Sequence, residues 1–169
     1  MEENTNHQLE EELKSWFSGY RQVVIAGIGN PLRKDDFVGM RIVQHLKNCV
    51  PPCVHLIECE TVPESFIQSI VELNPSHVLI IDAAKVKLKP ADSKLVYPQE
   101  LLEYSAISTH SLPLRIFCQY LTQTTEADIA LLVIQPEDSS FGENLTGNVK
   151  KTAKNLSEIL CEILEKREK

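Results

Sequence analysis

Basic residues are in short supply in this chain: 17 Lys and Arg stand against 24 Asp and Glu, a formal charge of -7. A broad nucleic-acid footprint depends on Lys and Arg neutralising phosphates, so this balance disfavours one. Long apolar runs are also missing. None approaches the roughly 20 residues needed to span a bilayer, and no membrane insertion is expected. The N-terminus is polar and acidic, with Glu2, Glu3, Glu10, Glu11 and Glu12, unlike a secretory signal or a transit peptide. The expected location is cytoplasmic. No Cys-x-x-Cys pair occurs among Cys49, Cys53, Cys59, Cys118 and Cys161. Cys49 and Cys53 flank Pro51-Pro52, but no second pair completes four zinc ligands. All five are expected to be small buried hydrophobes in a reducing compartment. Internal repeats, low-complexity tracts and linkers are absent too, and 169 residues fit one ordinary domain.

What is present is a globular composition, 43% hydrophobic and 24% charged, which argues against disorder. Apolar runs at 23–28, 54–57, 78–81 and 129–134 read as strands. Three of the four are nearly continuous, the pattern of strands covered on both faces of a parallel sheet. A short further strand is expected at 94–97. Helical stripes lie between the runs: Val38, Ile42, Leu46 and Val50; Phe66, Ile70 and Leu73 after Pro63-Glu64; Leu112, Ile116 and Tyr120 with Phe117 and Leu121; and Val149, Ala153, Leu156, Leu160 and Ile163. Leu9, Leu13, Trp16 and Phe17 suggest one more helix, an N-terminal extension over 1–20 preceding a domain at 21–169. Strand alternating with helix implies an α/β fold: a three-layer αβα sandwich around a mostly parallel central sheet, in a single domain. The longest irregular stretch, 85–109, ends at a histidine, and loops of that length are often functional.

The sharpest local signal is Gly27-Ile28-Gly29-Asn30-Pro31-Leu32-Arg33-Lys34-Asp35-Asp36, followed by Gly39. Glycines directly after a first strand allow a tight turn and close approach to a ligand. A dinucleotide-binding loop would need a third glycine where Leu32 stands, and no Walker pattern is present. Asp35 and Asp36 fall where the first helix of the domain should begin, a place where Asp is favoured for capping and for the helix dipole. Adjacent side chains diverge, so one can cap while the other projects into a cleft. Asp82 ends the run 79–81, and ligands of open α/β sheets bind outside the carboxyl ends of the strands. Capping or turning the loop at Ala83-Ala84 is the structural alternative, but a carboxylate at the end of a buried strand is a better site candidate than a surface one. His110 lies at the entry to the third stripe, whereas His7, His45, His55 and His77 carry no comparable context. One imidazole and two carboxylates at one sheet edge would suit a divalent transition metal with positions left open for substrate.

Taken in order, Gly29-Asn30-x-Leu-x-x-Asp35-Asp36-x-x-Gly39, Ile80-Ile81-Asp82-Ala83 and Ile107-Ser108-x-His110-x-Leu112 resemble the hydrogenase maturation endopeptidases. These proteases trim the C-terminus from the large-subunit precursor of nickel–iron hydrogenases. Glu58-x-x-Thr61-Val62-Pro63-Glu64 and Ile134-Gln135-Pro136 are similar to the branch serving formate-hydrogenlyase-type and related archaeal enzymes. The resemblance spans nearly all of 23–164. It implies that Asp36, Asp82 and His110 contact nickel and serve cleavage, the nickel being supplied by the precursor. It also implies a nickel-loaded hydrogenase large-subunit precursor as transient partner, and we expect the protease to be a monomer. Phe37 and Glu60 stand where many members carry glycine, a difference expected to reshape the cleft. Two rival readings exist. Peptidyl-tRNA hydrolases share Gly27-Ile28-Gly29-Asn30-Pro31, but their pattern continues with glycine where Leu32 stands, and no histidine follows before His45. A non-catalytic α/β binding module is the other, since the fold hosts many functions.

Overall fold

The computed structural model describes residues 2–102 and 111–166. Among the described residues, five strands form one sheet: β1 (Val23–Ile28), β2 (Val54–Glu60), β3 (His77–Ala83), β4 (Ser93–Val96) and β5 (Asp128–Ile134). Their order is β2-β1-β3-β5-β4. The first four in that order run parallel, and β4 closes the edge antiparallel to β5. Every residue of β1 and β3 is buried. That is why these runs lack polar alternation: both of their faces are covered.

The covering helices are α1 (Glu2–Trp16), α2 (Val38–Leu46), α3 (Ile67–Glu72), α4 (Ser111–Thr124) and α5 (Gly147–Glu165). Successive β1 side chains go to opposite faces. Val23 and Ile25 join a core with Leu9, Leu13, Ile42, Val43, Leu156 and Leu160, from α1, α2 and α5. Val24, Ala26 and Ile28 join a second core with Ile70, Phe117 and Leu121, from α3 and α4. The three-layer αβα sandwich expected from the sequence is therefore the observed fold. Short 3-10 turns, Lys34–Phe37 and Pro63–Phe66, lead into α2 and α3. Helix α2 ends at Leu46, short of Val50, because Pro51-Pro52 lie ahead and the chain must turn into β2. On α1, Trp16 meets the ring of His77 edge-on at 5.0 Å, which docks that helix against the start of β3.

The cysteines depart from expectation. Cys49 and Cys161 form a disulfide across 112 residues, their Cα atoms 5.6 Å apart. Packing of α5 against α2 brings the pair together, a proximity that spacing along the chain cannot reveal. The reading as buried thiols holds for Cys59 and Cys118, both free and buried. Burial raises each thiol to about 12, helped at Cys59 by the nearby Glu64 charge. Neither is a thiolate at neutral pH. Iodoacetamide should leave both unmodified in the native protein and alkylate both after denaturation, as read by peptide mass spectrometry.

Candidate active site at the carboxyl ends of β1 and β3

Strand order reverses at β1: the chain passes to β2 on one side and to β3 on the other. Outside the carboxyl ends of such strands lies the usual ligand crevice of an open α/β sheet. Here that crevice is built by close backbone approach. A Cβ on Gly39, in the first turn of α2, would overlap the Ile81 carbonyl oxygen of β3 and lie 2.6 Å from that of Ile28 of β1. A Cβ on Gly29 would overlap the Asp36 carbonyl, and the Gly29 amide donates to Glu60 O at 2.8 Å. Only glycine lets the turn Lys34–Phe37 and the start of α2 settle onto the two strand ends.

This settling carries Asp36 to the strand ends. The turn Lys34–Phe37 packs against β3, and Asp82 sits one residue before the end of that strand. Both carboxylates are buried, Asp36 9% and Asp82 1% exposed. Asp36 Oδ2 accepts the Asn30 amide at 3.0 Å, which aims the carboxylate back toward the loop after β1. Asp36, on the turn packed against β3, and Asp82, near the end of that strand, are thus both carried by elements at the carboxyl side of the sheet. His110 lies outside the described residues. Among the described residues, no three or more His, Cys, Asp or Glu side chains form a group that could hold a metal ion. The described part of the expected set is two oxygen donors, chemistry compatible with a divalent metal but not specific to one.

Asp35 has a different place from its neighbour. It caps neither the turn nor α2, whose starts carry no side-chain cap. Fully buried, it receives the chain between β5 and α5: Oδ2 accepts the Glu137 and Asp138 amides at 3.0 and 2.9 Å, and Oδ1 accepts the Thr146 amide at 2.7 Å. The Thr146 hydroxyl adds bonds of 3.0 and 2.9 Å. Beside it Lys34 bridges to Asp138, and this contact, with the Ser140 hydrogen bonds, holds the Asp138 carboxyl below its usual range.

Two residues of the branch-like motifs, Gln135 and Glu58, hold neighbouring segments in ways that the motifs do not reveal. Gln135 Oε1 accepts the amides of Val86 and Leu88 at 2.8 and 3.4 Å and so holds the loop after β3. Glu58 is bound by Lys47 at 2.6 Å and Gln44 at 2.8 Å, and the Lys47 bond, then Gln44, keeps its carboxyl below the ordinary range. At the two positions where glycine was the expectation, Glu60 adopts φ 52°, a conformation glycine favours. Phe37 instead supports the Arg41 guanidinium, 5.3 Å from its ring centroid.

Comparison with known proteins adds the family. The hydrogenase maturation protease profile matches residues 40–163. A protein of Methanocaldococcus jannaschii, provisionally named a hydrogenase maturation protease, is 34% identical over 93% of this chain and 96% of its own. The hydrogenase 3 maturation protease of Escherichia coli K12 is 27% identical over 75% of this chain and 81% of its own. Among solved structures, the NiFe hydrogenase maturation protease HycI from Thermococcus kodakarensis KOD1 superposes with a TM-score of 0.85. It is 35% identical, over 91% of this chain and 99% of that one. With the fold, the glycine-built crevice and these matches together, the chain belongs to the hydrogenase maturation protease family, a family of peptidases.

Proposed function

We propose that this chain removes the C-terminal peptide of a nickel–iron hydrogenase large-subunit precursor once nickel is in place, and that Asp36, Asp82 and His110 contact that nickel. The observation that supports this best is the arrival of two buried carboxylates from separate elements at one sheet edge. A structural role for either would not require the Gly39 backbone to lie against the ends of β1 and β3. The nickel is part of the substrate and comes with it, so the protease needs an open set of donors and no resident ion.

The chemistry follows from that set. Carboxylate oxygens, with an imidazole, suit a divalent transition metal that keeps positions for a substrate group. Nickel contacted by these residues would either act as a Lewis acid on the peptide carbonyl or water, or only position the peptide while a carboxylate serves as general base. Membership of the formate-hydrogenlyase-type branch is part of the same reading, supported by Glu58-x-x-Thr61-Val62-Pro63-Glu64 and Ile134-Gln135-Pro136. So is action as a cytoplasmic monomer. No helix among the described residues is long and apolar enough to cross a membrane.

Affinity tests the metal check. The Kd of the protease for nickel-loaded precursor should be at least about tenfold lower than for nickel-free precursor, a difference of about 1.4 kcal/mol. Equal Kd values for the two forms would remove nickel from the recognition step.

A further inference from the structure

We infer that Asp35 is a positioning residue for this reaction: its buried carboxylate clamps the 137–146 segment to the turn that carries Asp36 and so sets where Asp36 stands. The inference rests on the reading above for the role of Asp36. Asp35 itself touches neither substrate nor metal in it.

The clamp is a continuous zip between two loops distant in sequence. The Leu32 carbonyl accepts the Gly142 amide at 2.8 Å, the Lys34 amide donates to Gly142 O at 3.0 Å, and the Asp35 amide donates to Asp138 O at 3.1 Å. Arg33 Nε adds a bond of 3.2 Å to Ser139 O, and Arg33 and Gly142 form a parallel bridge. At the centre is the Asp35 carboxylate, fully buried and satisfied by the three amides of Glu137, Asp138 and Thr146 and by the Thr146 hydroxyl. A buried carboxylate is costly unless such donors surround it, and charge-assisted bonds are the stronger kind. Four donors converging on one side chain over-determine the local backbone. They do so where it is strained, because Lys34, immediately before Asp35, is held at φ 41°. Asp36 follows with no residue between, its amide bound to Arg33 O at 3.0 Å and its carboxylate to the Asn30 amide at 3.0 Å. Both of those partners lie on the zipped loop. Releasing the clamp therefore lets Asp36 drift while Asp82, fixed within β3, stays.

Asp35→Asn tests this directly. Asn keeps the volume but replaces one acceptor oxygen by an amide that donates toward donors. With saturating nickel-loaded precursor, kcat should fall about 10²-fold, the cost of a misplacement of about 1 Å. KM should rise by less than kcat falls, by no more than about the tenfold that nickel contact adds to binding, because Asp36 is only one of the three proposed nickel contacts. Amide hydrogen exchange, read on the protease alone, should accelerate at 30–37 and 137–146 and stay unchanged in β3. If Asp35→Asn fails to fold, Thr146→Val carries the test: it removes only the hydroxyl donor, and kcat should fall about fivefold with a smaller change in KM. Wild-type kcat in a folded Asp35→Asn, or in Thr146→Val if only that variant folds, would overturn the inference. So would an effect confined to KM. A wild-type protease that leaves nickel-loaded precursor uncut contradicts the proposed function instead, and the exchange pattern then decides whether the clamp holds the turn.

Discussion

Asp82→Asn should bring processing of nickel-loaded precursor to less than about one part in 10³ of wild type while the protein keeps its fold. A factor of that size is about 4 kcal/mol of transition-state stabilisation, within what a charged metal contact supplies. The substitution conserves shape at a position only 1% exposed, the sixth residue of a fully buried strand. Asn fills the same volume as Asp, so the substitution opens no cavity in the strand's packing. Thermal unfolding by circular dichroism, run beside a cleavage assay, separates the two quantities. A melting temperature near that of wild type with processing lost places Asp82 in the chemistry. Loss of both together would assign it to the framework, and full processing would remove it from the site.

The second large effect is expected at Gly39. Its substitution by Ala sets a methyl against the carbonyls of Ile81 and Ile28, backbone atoms of two central strands that have nowhere to move. Overpacking of this kind costs about 3 kcal/mol or more. For a chain of this size that lowers the melting temperature by about 6–12 °C. Processing should fall as well, even at temperatures where the variant is folded, because relief of the clash lifts α2 and the Asp36 turn from the end of β3. Gly147→Ala is the matched control. A Cβ there meets nothing within 4 Å, and the residue begins α5, so stability should hold or rise slightly. Equal melting temperatures for the two variants would contradict the account of how the crevice is built.

The sandwich was legible because its signals are local. Runs such as 78–81 and 129–134 declare strands buried on both faces, and stripes such as Val38, Ile42 and Leu46 declare one helix face. Asp82 was legible for the same reason: a carboxylate ending an apolar run is placed by the strand itself. From position alone Asp35 and Asp36 were not separable, and only the family resemblance singled out Asp36. They are neighbours with the same side chain, and only the return of the 137–146 segment makes one a clamp and leaves the other to the crevice. A faint signal existed in Thr146-Gly147, a capping residue ahead of the last stripe, but nothing in sequence says that its hydroxyl serves Asp35. The Cys49–Cys161 pairing and the grip of Gln135 on Val86 were hidden likewise, being contacts between distant segments.

The most direct measurement is mass spectrometry of the cognate precursor after incubation with this protein, with and without nickel loaded. The account expects loss of one C-terminal peptide from the nickel-loaded form and an unchanged mass for the nickel-free form. An intact mass for correctly loaded precursor would contradict it and leave the chain as a binding module on a protease fold.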